Sequence, residues 1–259
     1  MTKFVLAMAA AALVATSGLW TAARASTLSA TYFTISSSDA DFGSGGVQTC
    51  CSVVSDNEVL SALGPNGLPL YNTTGYSDDL GSGTATAIKD IDTQGEITWW
   101  SPALNSNVSQ TGTGSITLPY SNGCMDPPNG GSCSGDGGSQ GYLAAIYTGQ
   151  LDVGGSTSET VSFSVGADDV AFVYLDNQIV CDLGGVHGST AGTCTTPTIT
   201  TGDHNIEIFY ADVHPTGAAF NFDITTTNVS SSATVPEPAT LSLLGLGLVS
   251  LGFVRRKRI

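Results

Sequence analysis

The stretch Phe163-Ser-Val-Gly-Ala-Asp168-Asp169-Val170-Ala-Phe-Val-Tyr-Leu175-Asp176-Asn177-Gln178-Ile-Val-Cys181-Asp182-Leu183-Gly184-Gly185-Val186-His187-Gly188 decides the fold. Val170 to Leu175 is a nearly unbroken apolar run. It is too short for a typical helix and rich in β-branched and aromatic side chains, so it reads as a strand buried on both faces. Asp176-Asn177 turns the chain, Gln178 to Leu183 pairs back as a second strand, and Gly184-Gly185 ends it. Asp168 and Asp169 thus stand side by side at the mouth of a buried hairpin. Burying such a pair is costly unless a cation sits there, and the chain offers almost no basic side chains, so a hard metal ion is expected. The alternative is a polar strand end whose Asp side chains cap local N–H groups. Neighbouring side chains on an extended strand point to opposite faces, so the two carboxylates meet at one ion only if the backbone bends between them.

Outward from this hairpin the chain reads as all-β. Strands are expected at Thr27–Ile35, Glu96–Trp100, Ser115–Leu118, Gly141–Tyr147, Thr160–Val165, His204–Tyr210 and Phe220–Ile224. In the last three, apolar and polar residues alternate, as in Val161, Phe163 and Val165 against Ser162 and Ser164. Alternation broken by turn residues predicts a single antiparallel β-sandwich over residues 26–227, of protective-antigen or jelly-roll type. One short helix is expected at Asp56–Leu63, loops at Asn105–Thr113 and Ser121–Gln140, and a spacer over 228–235 that leads into the tail.

Six of the seven basic residues lie near the termini: Lys3, Arg24, Arg255, Arg256, Lys257 and Arg258. Between Ser26 and Val235 only Lys89 remains, against all but one of the 22 Asp and Glu residues. Such a body has no basic patch to meet phosphates, which argues against nucleic acid, while its oxygen-rich side chains suit Ca²⁺. An acidic surface that is simply solvated is the other reading of most single carboxylates.

Both ends carry addresses. Residues 1–25 have a basic start at Lys3, an apolar Ala-rich run and Ala23-Arg24-Ala25 before Ser26, the pattern of a helical signal peptide that is cleaved. An uncleaved anchor is the weaker alternative, because the run is short. Residues 235–259 hold Val235-Pro236-Glu237-Pro238, an apolar run over 241–254 expected as a sorting helix, and a basic end. The basic residues would keep the C-terminus cytoplasmic.

All six cysteines, Cys50, Cys51, Cys124, Cys133, Cys181 and Cys194, fall in the exported body, where an oxidising compartment favours disulfides. Of the fifteen connectivities six cysteines allow, Cys181–Cys194 and then Cys124–Cys133 are preferred, because each pair flanks one loop. His187, His204 and His214 share no short zinc-ligand spacing, and His187 and His214 are read as structural hydrogen-bonding residues. No Gly-x-Ser-x-Gly elbow and no His-Glu-x-x-His motif occurs.

Two resemblances follow from these motifs. The tail, with its proline-bracketed Glu, apolar run and basic end, resembles the PEP-CTERM sorting signal of Gram-negative bacteria. That implies recognition by an exosortase, a transient inner-membrane anchor, and release to the cell surface or extracellular matrix. The alternative is a plain C-terminal membrane anchor, the chain touching the membrane only through an uncleaved tail. Asp168-Asp169-Val170 followed by Asp182-Leu183-Gly184-Gly185-Val186-His187-Gly188 resembles the signature of the fibro-slime domain. Asp39-Ala40-Asp41-Phe42, the Gly64–Tyr71 turn, Trp99-Trp100 and Tyr210–His214 also resemble family elements, with Asp212-Val213-His214 standing where the family has Glu-Arg-His. Fibro-slime domains are similar to protective-antigen-type lectin sandwiches, in which an Asp-Asp pair joined by a cis peptide binds Ca²⁺ that helps hold sugar hydroxyls. The resemblance carries that metal role to Asp168 and Asp169 only; Asp182 and His187 are the candidate supporting residues.

These features together predict an exported, non-enzymatic, calcium-dependent carbohydrate-binding or adhesion module that contacts extracellular polysaccharide or cell-surface glycan. Tyr120 or Trp99 could stack on sugar rings, with core packing the stronger expectation for Trp99-Trp100. The second reading is an inert matrix protein in which calcium only stabilises the fold, and a distant third is a polysaccharide-active enzyme.

Overall fold

The computed structural model describes residues 26–42, 57–74, 88–122, 141–155, 158–214 and 217–233. No helix occurs among them. The helices expected in the signal peptide and sorting tail, and Cys50, Cys51, Cys124 and Cys133, lie outside the described residues.

The strands are β1 (Thr27–Ile35), β2 (Val59–Leu63), β3 (Pro69–Tyr71), β4 (Val108–Thr117), β5 (Tyr120–Asn122), β6 (Tyr142–Val153), β7 (Glu159–Asp168), β8 (Val170–Leu175), β9 (Gln178–Leu183), β10 (Thr190–Ile199), β11 (Gly202–Ala211), β12 (Ala219–Ile224) and β13 (Val229–Ala233). They form a nine-stranded sheet in the order β3-β2-β9-β8-β11-β6-β1-β4, with β13 added alongside β6, and a four-stranded sheet in the order β10-β7-β12-β5. Neighbouring strands run antiparallel in both sheets, as in the central β6–β11–β8–β9 ladder.

The expected hairpin is present, with β8 and β9 at the expected boundaries. Its two turn residues, Asp176 and Asn177, both have positive φ (48° and 62°), the pattern of a two-residue turn that follows the strand twist. All six residues of β8 are buried, because the strand is covered on both faces. Ala171, Val173 and Leu175 join Phe163, Val165, Phe220, Phe222, Ile206, Ile208 and Tyr210 in the core between the sheets. Val170, Phe172 and Tyr174 join Phe42, Trp99, Trp100 and Phe209 in a second core on the outer face of the large sheet. Phe42 after β1, and Ile88, Ile97, Trp99 and Trp100 between β3 and β4, cover that outer face as a cap. Trp100 anchors the cap, its ring 5.3 Å from Phe209 and its indole N–H donating to the Tyr210 carbonyl at 2.7 Å. Buried Glu96 holds the Gly64–Leu68 turn by accepting from the Asn66 amide (2.7 Å) and the Leu68 amide (3.3 Å).

Several expectations are corrected. The helix expected at 56–63 is instead β2, which pairs with β3 and β9. Tertiary pairing overrides its helical composition, and the Val59 amide donates to Asp182 Oδ2 at 3.0 Å. Most of the loop expected at 105–113 belongs to β4, an edge strand paired with β1 and largely exposed, so it shows no apolar alternation. Glu96–Trp100 is not a strand; only the bridges Leu70↔Glu96 and Ile91↔Ile97 form there. Residues 229–233 of the expected spacer form β13, paired with β6, so the folded part extends to Ala233. β10, unexpected from its Thr-rich sequence, is an edge strand whose register shifts between Thr195 and Thr198, which accommodates Pro197.

Cys181 and Cys194 form a disulfide with Cα atoms 5.4 Å apart. Cys181 lies on β9 in the large sheet and Cys194 on β10 in the small one, so the bond clasps the two layers. Closing a loop with a sequence separation of 13 contributes about 3 kcal/mol on the chain-entropy model. Replacing both cysteines by alanine is expected to lower the urea midpoint by that equivalent without changing the far-ultraviolet circular dichroism. An unchanged midpoint would show that the clasp adds nothing.

Candidate metal centre

Strand register brings three carboxylates together. Val170 at the start of β8 pairs with Ala211 at the end of β11. The residue before the one, Asp169, and the residue after the other, Asp212, therefore flank the same rung. Asp168 closes β7, whose residue pairs with Ala219 of β12. The peptide between Asp168 and Asp169 is cis. One oxygen each from Asp168, Asp169 and Asp212 lies within 4.8 Å of the others, and Asp169 and Asp212 are buried.

Backbone donors fix the central carboxylate. Asp169 Oδ1 accepts from the His187 amide (3.0 Å), and Oδ2 accepts from the amides of Val213 and His214 (2.8 Å each). Asp168 Oδ2 accepts from the Ser189 amide at 3.0 Å, and the Tyr210 hydroxyl donates to the Asp168 carbonyl at 2.7 Å. Gly217 has φ +107°, and a Cβ there would stand 2.7 Å from Asp168 Oδ2, so only glycine lets this loop approach. Burial foremost, with the charge of Asp168 adding, pushes the Asp169 carboxyl up to about 7 against the pull of its three amide donors.

Of the expected supporting residues, His187 contributes its backbone amide, while its ring Nδ1 faces the Gly188 carbonyl at 3.2 Å. Asp182 is not in the group; its carboxylate holds Val59 of β2. Gly184-Gly185 of the signature makes room for buried Glu58, whose Oε2 accepts from the Gly185 amide at 2.9 Å and whose side chain would meet any Cβ on Gly184. His204 lies at the other end of β11, its Nδ1 2.6 Å from Asp176 Oδ2 and its Nε2 2.9 Å from the Thr200 carbonyl. Asp212, named from the sequence only as part of the Tyr210–His214 element, was missed as a ligand, although it follows a buried strand much as Asp169 precedes one. Tyr120, expected as an exposed sugar-stacking residue, is partly buried against the inter-sheet core, 6.1 Å from Phe220.

The donor set consists of carboxylate oxygens, two of the three residues buried, with no basic side chain among them. Such a set fits a hard cation and not a soft one.

The fold and this acidic group define an all-β sandwich that could hold a metal ion. Residues 234–258 match the PEP-CTERM protein-sorting motif, which marks an exported surface protein sorted by an exosortase. No curated protein matches the chain. Among solved structures the chain is similar to the PA14 sugar-binding domain of an RTX adhesin, at 16% identity and a TM-score of 0.34, covering 81% of this chain and 96% of that one. It is similar to the PA14 domain of the antifreeze protein MpAFP, at 14% identity and a TM-score of 0.32, covering 83% and 97%. A β-glucosidase from Kluyveromyces marxianus matches at 20% identity and a TM-score of 0.27, covering 33% of this chain. The chain spans 10% of that β-glucosidase's length.

Proposed function

We propose that this exported sandwich is a calcium-dependent carbohydrate-binding or adhesion module that acts without catalysis. The observation that carries the reading is the convergence of Asp168, Asp169 and Asp212 at one end of the sandwich, with Asp169 held by three amide donors. The resemblance of the Asp168–Gly188 signature to fibro-slime domains supports it. Asp168, Asp169 and Asp212 would hold the ion, which would supply a fixed positive charge for sugar hydroxyl oxygens. Carboxylates engaged in this way are poor proton carriers, which speaks against hydrolysis at this site. The chain then acts at the cell surface or in the extracellular matrix of a Gram-negative bacterium, after its tail is cut near Pro236–Pro238.

Glycan-array binding of the protein with Ca²⁺, with chelator, and as the Asp168→Asn variant tests the reading. Binding that needs Ca²⁺ and falls at least tenfold in the variant is the expected result. Calcium-dependent thermal stability with no glycan bound under any condition would favour the inert matrix protein. Depolymerisation of an extracellular polysaccharide, abolished by one carboxylate substitution, would establish an enzyme.

A further inference from the structure

A second acidic group stands in the cap, apart from the one at the hairpin mouth. Asp39 and Asp41 follow β1, and Asp90 lies in the segment between β3 and β4. One oxygen of each lies within 4.8 Å of the others. Two oxygens bound to one Ca²⁺ are separated by at most about 5 Å, twice the usual Ca–O distance, so each pair of these oxygens falls within the span of one ion.

The carboxylates are held in place. Asp41 Oδ1 accepts from the Lys89 amide (2.8 Å), and its Oδ2 accepts from the Asp90 amide (2.9 Å) and the Trp99 indole N–H (3.1 Å). Asp39 Oδ1 accepts from the Asp41 amide (3.0 Å) and Oδ2 from Asn105 Nδ2 (3.3 Å). Asp39 and Asp41 are 4% and 1% exposed. All of these donors are neutral. The nearby ammonium of Lys89 donates instead to the Ala40 carbonyl at 3.3 Å.

Asp90 breaks the pattern. Its Oδ2 is buried and has no hydrogen-bond partner among the described residues. A buried carboxylate oxygen left bare beside two more buried carboxylates is a costly arrangement for three anions and a suitable one for a cation.

We infer that Asp39, Asp41 and Asp90 form a second site for a hard divalent cation of the calcium type, which fastens the cap to the outer face of the large sheet. The ion would bridge the segment after β1 to the one that carries Trp99 and Trp100, whose rings pack on Phe42 and Phe209. The competing occupant is a proton shared between Asp90 and Asp39.

Calcium stoichiometry of the purified chain at pH 7.5, by equilibrium dialysis, distinguishes these outcomes. Asp90→Asn keeps the shape and removes one charge; Asp39→Asn is the second variant in case the first fails to fold. The expected result is that Asp90→Asn binds one calcium equivalent fewer than the wild type. Asp168→Asn should leave that equivalent in place, so failure of the hairpin site and failure of this one read differently. Terbium emission excited at 295 nm, sensitised by the adjacent Trp99, should fall at least fivefold in Asp90→Asn. An unchanged stoichiometry in both variants overturns the inference. So does a carboxylic-acid infrared band that is present in calcium and absent in Asp90→Asn, since it would show a shared proton in place of the ion.

Discussion

Truncating Phe220 to alanine is expected to destabilise the protein by about 3–5 kcal/mol, the usual loss for a large aromatic residue removed from a packed core. Phe220 is fully buried, and its ring stacks on Tyr147 at 4.9 Å with an interplanar angle of 9°. It also touches Tyr210 at 5.4 Å and Tyr120 at 6.1 Å. These neighbours belong to β5, β6 and β11, so one side chain on β12 bonds the small sheet to the large one. The void left behind would open between two sheets that cannot both relax into it. Urea unfolding measures the loss. Leu104, 45% exposed, is the control, and its alanine variant should stay within about 0.5 kcal/mol of the wild type. A loss at Phe220 no larger than that at Leu104 would mean that the sheets are not held together by this core.

Asp169→Ala should have an effect of similar size for a different reason. The side chain accepts from the amides of His187, Val213 and His214, and it is 1% exposed. Removing it strands two buried donors, at His187 and Val213, and a part-buried one at His214, each buried donor costing about 1–3 kcal/mol unless water replaces the carboxylate. Hydrogen exchange gives the direct readout: the amides of residues 187, 213 and 214 should lose protection even in calcium-free buffer. If they remain protected and only calcium binding is lost, the carboxylate serves the ion alone. The expectation here is that it also organises two loops, the one after β9 and the one after β11, before any ion arrives.

The fold was legible where burial imposes a period on the sequence. β8 and β9 were readable residue by residue, because a strand covered on both faces must be apolar throughout and a two-residue turn must tolerate positive φ at both positions. β12 and the core of β11 were readable through alternation. The Cys181–Cys194 pairing was also readable, since both residues flank one loop. The strands that escaped, β2, β3, β5, β10, β13 and the first part of β4, are short or lie at sheet edges. They carry no sustained apolar run or alternation, so pairing partners and not side-chain pattern make them strands. Residues 229–233 have the Ser-rich composition of a linker and become β13 only because β6 offers unpaired backbone there.

The candidate centre was half legible. Asp168 and Asp169 announce themselves as adjacent charges against an apolar run. Asp212 could have been found from the register of β8 against β11, which requires the pairing itself and not a local motif. Asp90 carries no sequence signal at all, since it is distant in the chain from Asp39 and Asp41 and reaches them only through the packing of the cap.

β13 has one more consequence. The Ser231 amide donates to Ser26 Oγ at 3.2 Å and the Ala233 amide to Thr27 Oγ1 at 3.3 Å, so the described chain begins and ends at one spot beside β6. A chain that enters and leaves through one doorway is a cassette. It could be spliced into a surface loop of a larger host without prising its two ends apart, and both acidic groups would travel with it intact.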